Sequence, residues 1–177
     1  MKSKFMKTTV GTFLALLMLF AGTQISVSGQ ESEQGDLQEE QSHRYMQSIE
    51  GVWRTAVTPR NCQTGLPLAP ALRGLFTFNE GGTMSEYGIG PGQSPALRSP
   101  GHGVWERRRG GRNYSLAFIF YRYDPSGIFI GSTKITAALE LGIRGGAFTT
   151  NSAIEVFDAN DNLIGTACAT ATGTRFG

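Results

Sequence analysis

Few side chains in this 177-residue chain could move a proton or attack an electrophile. Past residue 44 there is one histidine, His102 in "SPGHGVW", where a Pro- and Gly-rich loop runs into a strand-like segment. Loops feeding regular elements often carry site residues. A lone His in such a place is more commonly structural, and no Gly-x-Ser-x-Gly accompanies it to suggest nucleophilic catalysis. Glu86, Glu140 and Glu155 lie within apolar, strand-like runs. A carboxylate turned into an apolar interior has a raised pKa and can act as an acid or base. The wet face of a strand is the ordinary place for each of the three. Glu86 is the first candidate for the exception, because it sits beside Tyr87 and adjoins "GIGPGQSPALRSPGH", a loop long enough to act as a lid. One histidine and two cysteines are too few ligands for a metal centre, and "DANDN" (158–162) reads as a hairpin turn rather than a calcium loop. No metal and no cofactor is expected.

The two cysteines, Cys62 and Cys168, lack the C-x-x-C spacing and neighbouring histidines of a zinc site. In an exported chain an even cysteine count implies a bridge, and Cys62–Cys168 is expected. Export is read from the N-terminus. Lys2, Lys4 and Lys7 precede the apolar run "VGTFLALLMLFAG" and the small, polar "TQISVSGQES", the pattern of a secretory signal peptide over 1–29, cleaved after Gly29. The apolar run is too short for a span of roughly 20 residues. Secreted or periplasmic localisation follows, with no stable membrane span after cleavage.

Residues 30–45 form an acidic tether. Its "QESEQGDLQEEQSHR" holds five acids, four glutamines and one leucine, too little apolar surface to offset the entropy of ordering it. His43 belongs to this tether. Residues 46–177 are the size of one domain. Beyond residue 44 the chain carries 12 Lys and Arg (16 less Lys2, Lys4, Lys7 and Arg44) against nine acids, the other five being in the tether. The basic residues crowd into "ERRRGGR", with Arg107, Arg108, Arg109 and Arg112 beside one turn, as on a solvated hairpin tip. That balance, with export, argues against a nucleic-acid partner.

The elements that must hold these residues are strands. From residue 50 the chain shows period-two alternation and no helical stripe over 11 or more residues. Turn signals break it at "NEGG", "RGG", "DPSG", "GIRGG" and "DANDN". The pattern predicts strands over about 51–58, 73–79, 83–89, 102–109, 113–123, 128–140, 147–157 and 163–172. The last five run on as an antiparallel meander, while two Pro- and Gly-rich connections interrupt the front half. Eight sequential strands favour an up-and-down barrel, since closure removes exposed edges. Such an interior is either filled or holds one small ligand. In "SLAFIFYRY" both faces are apolar, so the outer one should be covered by a loop or a partner subunit. In "FIGSTKITAALEL" the alternation predicts Phe129, Thr133, Ile135 and Leu139 inward. Gly131 and Gly165 mark bulges or bends.

"GVWRTAVTPRN" (51–61) and "GVWERRRGGRN" (103–113) share Gly, Val, Trp, Arg and Asn at fixed offsets. The similarity ends there, so these are two strand starts rather than a duplicated unit. The first, Gly51-x-Trp53 opening an eight-stranded barrel of this size, resembles the motif of lipocalins and the wider calycin group. The resemblance implies that Trp53 closes one end of the barrel and that a basic residue near the C-terminus, here Arg175, packs across it. Trp105 should then simply belong to the wall. The chain lacks that group's Thr-Asp-Tyr motif and C-terminal helix. The barrel of plant dirigent proteins and allene oxide cyclases is similar in strand number and size.

The function expected is binding of a small lipophilic molecule inside the barrel, with Trp53, Phe76, Phe78, Glu86, Tyr87, His102, Tyr114 and Phe118 as candidate contacts and a homodimer as a possible assembly. The alternative is a small barrel enzyme of cyclase or isomerase type, with Glu86, His102 and Tyr114 as its polar groups.

Overall fold

The computed structural model describes residues 48–177; the expected signal peptide and acidic tether, with His43, lie outside the described residues. Eight strands follow one another: β1 Gly51–Arg60, β2 Leu72–Phe78, β3 Thr83–Ile89, β4 Gly101–Arg107, β5 Asn113–Tyr123, β6 Phe129–Leu141, β7 Ala147–Phe157 and β8 Leu163–Arg175. A single 3-10 turn, Pro95–Leu97, interrupts the β3–β4 loop. Every strand pairs antiparallel with its sequence neighbours, and β1 also pairs with β8, so the sheet closes into a barrel. The predicted strands agree with these to within about two residues, except that β8 runs three further, to Arg175. Among the described residues no helix is long and apolar enough to cross a membrane.

The up-and-down order gives the barrel two unlike ends. The turns at 79–82, 108–112 and 142–146 and both ends of the described chain lie at one end. The connections at 61–71, 90–100, 124–128 and 158–162 lie at the other. The first end is sealed by Ile49, Trp53, Phe78, Met84, Tyr114, Leu139, Leu141 and Phe148, all buried. Trp53 and Phe148 meet edge to face at 4.9 Å, a geometry that the opposed charges of ring face and edge favour. The Trp53 indole donates to Ile49 O at 2.7 Å. Arg175, paired in register with Trp53, lays its guanidinium 4.3 Å above that ring. It also donates to Glu50 O (2.6 Å), Ser48 O (2.5 Å) and Gly145 O (3.2 Å), tying the chain entry and the β6–β7 turn over the plug. Trp105 packs edge-on to Phe78 and Tyr114 in the wall and donates to Asn79 O and Thr83 O.

One expected facing is wrong. Thr133, Ile135 and Leu139 are buried inside, but Phe129 lies on the outer face against Tyr121 and Tyr123, with ring centroids 5.5 and 6.3 Å apart. The ladder pairs Arg122 with Gly131 and Tyr123 with Phe129, leaving Ile130 unpaired as a bulge. One extra residue exchanges the two faces beyond it. Gly131 permits this with φ +132, a conformation closed to residues with a Cβ, and a Cβ there would lie 2.1 Å from Phe157 O. A second bulge leaves Ile164 unpaired beside Gly165. The apolar outer face of β5 stays exposed at Ile119 and Tyr121.

Cys62 and Cys168 are bridged, with Cα atoms 5.2 Å apart. Cys168 pairs in register with Arg60 across the β1–β8 seam, so the bridge lies at the edge that closes the barrel. A bridge of this kind points to an oxidising compartment.

Candidate functional site

Between the aromatic plug and the loops of the other end lies a cavity of about 150 Å³. Its wall is apolar: Phe76 of β2, Leu116, Phe118 and Phe120 of β5, Ile135 of β6 and Ile154 of β7, with Ala169 and Ala171 of β8 leaving the space that larger side chains would fill. The hydroxyls of Thr133, Thr150 and Ser152 form a short polar strip on β6 and β7. Thr150 accepts a hydrogen bond from Ala171 N at 3.0 Å. A larger concavity, about 1100 Å³, lies open to solvent against β4–β7. It encloses nothing and brings no cluster of convergent charges together, so the interior cavity is the better candidate for a site.

Two charged groups meet at the mouth of this cavity. Glu86, in the middle of β3, alternates inward with Met84 and is 6% exposed. Room for its carboxylate comes from Gly88 and Gly101: a Cβ at either would lie within 2.9 Å of a Glu86 oxygen. Opposite stands Arg98, carried not by a strand but by the β3–β4 loop. That loop is held to β5 by a bridge between Arg98 and Arg122, by Ser99 N donating to Tyr121 O, and by Tyr121 N donating to Ser99 Oγ, both at 2.9 Å. The Arg98 guanidinium ion-pairs with Glu86 through Nη2 and Oε2. It also donates from Nη1 to Glu86 Oε1 (3.3 Å) and to Gly88 O (2.9 Å), and it lies 3.6 Å above the Phe120 ring. Burial raises the Glu86 pKa above the ordinary carboxylate value, and the charge and hydrogen bonds of Arg98 pull it part of the way back.

The sequence candidates separate by place. Phe76, Glu86 and Phe118 line the cavity. Trp53, Phe78 and Tyr114 are buried in the plug of the sealed end and do not line it. Tyr87 alternates with Glu86 and takes the outer face, in a groove with Arg54 and Leu75. His102 is exposed on the outside of β4. Glu86, His102 and Tyr114 are therefore not brought together: one is at the mouth, one outside and one in the plug. Among the described residues, no three His, Cys, Asp or Glu are grouped to hold a metal ion. Arg98 was missed. The only sign of it was its place in the long loop beside Glu86, and a contact across eleven intervening residues leaves no periodic trace.

No family model matches the chain, and no curated protein sequence matches it. Among solved structures, the S-type phycobiliprotein lyase CPES from Guillardia theta aligns with 11% identity and a TM-score of 0.35, over 77% of this chain and 92% of that one. A likeness so distant transfers neither site nor ligand.

Proposed function

We propose that the protein is an exported barrel that takes up one small, largely apolar molecule in its interior. The observation that supports this best is the cavity, sealed by aromatic rings at one end and roofed by the Arg98 loop at the other. Two of its polar groups already have partners: Glu86 is neutralised by Arg98 and Thr150 accepts from the backbone. The walls thus offer apolar contact, with polar groups at the rim to orient a guest. The size sets the class, since an apolar cavity of about 150 Å³ accommodates benzene. A one-ring molecule burying roughly 200 Å² at about 25 cal/mol per Å² would gain about 5 kcal/mol, a Kd near the 0.1–1 mM range.

Toluene is the direct probe. It should bind in that range and raise the thermal midpoint, and Ala171→Leu, which projects into the cavity, should abolish binding while keeping the strand signature in circular dichroism. Toluene that fails to bind, or that binds Ala171→Leu equally well, would count against the interior as the site.

A further inference from the structure

The floor of the chamber, next to the aromatic plug, carries two hydroxyls. Thr150 is one inward position along β7 from Phe148 of the plug, and Ser152 is the next inward position toward the mouth. Both line the cavity. Ser152 pairs in register with Ala137 of β6 and Ala169 of β8. Opposed residues of an antiparallel pair project to the same side, so its neighbours across the sheet are two methyl groups. They leave the Ser152 hydroxyl open to the chamber, and Ser152 is only half-buried although it points inward.

The hydrogen bonds of this pair are incomplete. Thr150 Oγ1 accepts from Ala171 N at 3.0 Å, which uses a lone pair and leaves its proton free to donate. The partner for that proton among the described residues is Ser152 Oγ at 3.5 Å, beyond the range of about 2.5–3.0 Å for an O–H···O bond. Ser152 Oγ has no other partner among the described residues. Two hydroxyl donors thus stand in apolar surroundings with no acceptor at bonding distance, which is costly. The unpartnered hydroxyls of Thr55 and Tyr114 are different, since they are sealed from solvent and do not line the cavity.

The charged residues that line the chamber lie toward its mouth. Arg98 is on the β3–β4 loop with Glu86 against it, and Arg73 is near the start of β2 beside the 61–71 connection. The floor offers neutral donors only. We propose that the guest is a neutral, singly oxygenated molecule of the phenol or small-ketone class. Its oxygen accepts from Ser152 and Thr150 at the floor, and its hydrocarbon part lies against Phe118, Ile135 and Ile154. This rests on the interior being the binding site and adds the guest's polar group and its orientation, oxygen inward.

Phenol and toluene, near-equal in shape, differ by a hydroxyl in place of a methyl. A chamber with no partner for that hydroxyl would take phenol about tenfold more weakly than toluene, because the hydroxyl gives up its water. Titrated calorimetrically at neutral pH into the intact protein, phenol is expected to bind at least as tightly as toluene. Ser152→Ala should weaken phenol roughly two- to tenfold and leave toluene unchanged. Thr150→Val/Ser152→Ala should bring phenol about tenfold below toluene. If that double variant does not fold, because Thr150 also holds Ala171 N, Ser152→Ala and the wild-type ratio still decide. Thr133 carries the cavity's third hydroxyl, near the mouth, where it pairs with the Phe120 that lies under Arg98. Thr133→Val should leave phenol unchanged. Phenol binding more weakly than toluene in the wild type, or phenol lost in Thr133→Val and kept in Ser152→Ala, would overturn the floor assignment and leave the interior site standing. Failure of both molecules to bind would overturn both.

Discussion

Removing the Cys62–Cys168 bridge is expected to lower the free energy of unfolding by roughly 4–5 kcal/mol, the loop-closure value for a separation of this size. The bridged residues are 106 apart in sequence, so the link constrains nearly the whole unfolded domain. It also lies on the β1–β8 seam, where the first and last strands must find each other across the full chain. Contacts of such long range are slow to form. A loss near 5 kcal/mol is a large part of the 5–15 kcal/mol that holds a typical domain together. Urea unfolding of Cys62→Ala/Cys168→Ala against the oxidised protein measures it. A difference under about 1 kcal/mol would mean that the reduced chain stays as constrained as the bridged one, contrary to the loop-closure model.

Arg98→Met should cost about 3–5 kcal/mol near neutral pH, because it strands a buried carboxylate without its counter-ion. The companion double variant, Glu86→Gln/Arg98→Met, should lose far less, since it removes both charges together. The pH dependence has a defined sign. The folded-state pKa of Glu86 is raised above its unfolded value, so the folded protein holds a proton that the unfolded chain has released. Glu86 therefore contributes most below the ordinary carboxylate pKa, and stability falls as pH rises through the raised folded value. Arg98 is the group that lowers this pKa. Its loss raises the pKa further and widens the window, so the cost of Arg98→Met should shrink on acidification. Glu86→Gln should remove that slope altogether. Denaturation midpoints of the four proteins between acid and neutral pH test this. A penalty that is independent of pH would show that packing on Phe120, not charge, holds Arg98 in place.

The strands were legible because their signals are local. Alternation and turn chemistry at "NEGG", "DPSG" and "DANDN" each act within a few residues, and closure follows from having eight strands in sequential order. The placing of Arg175 over Trp53 was legible through a short motif and a position near the C-terminus. The inward turn of Glu86 was only weakly so. What makes its burial tolerable is spread over Gly88, Gly101 and Arg98, three positions on different elements. Phe129 was misread because period two holds only until a residue is inserted, and Ile130 is that insertion. The cavity itself was not readable. It depends on small residues, Ala137 of β6 and Ala169 and Ala171 of β8, lining the interior, which register decides and composition does not.

The interior binding site is tested most directly by nuclear Overhauser contacts between bound toluene and the protein's methyl groups. Contacts to Ile135, Ile154, Ala169 and Ala171, whose side chains line the cavity, are the predicted result. Contacts confined to Val104 and Ile119 on the outer wall, or none at toluene saturation, would contradict it.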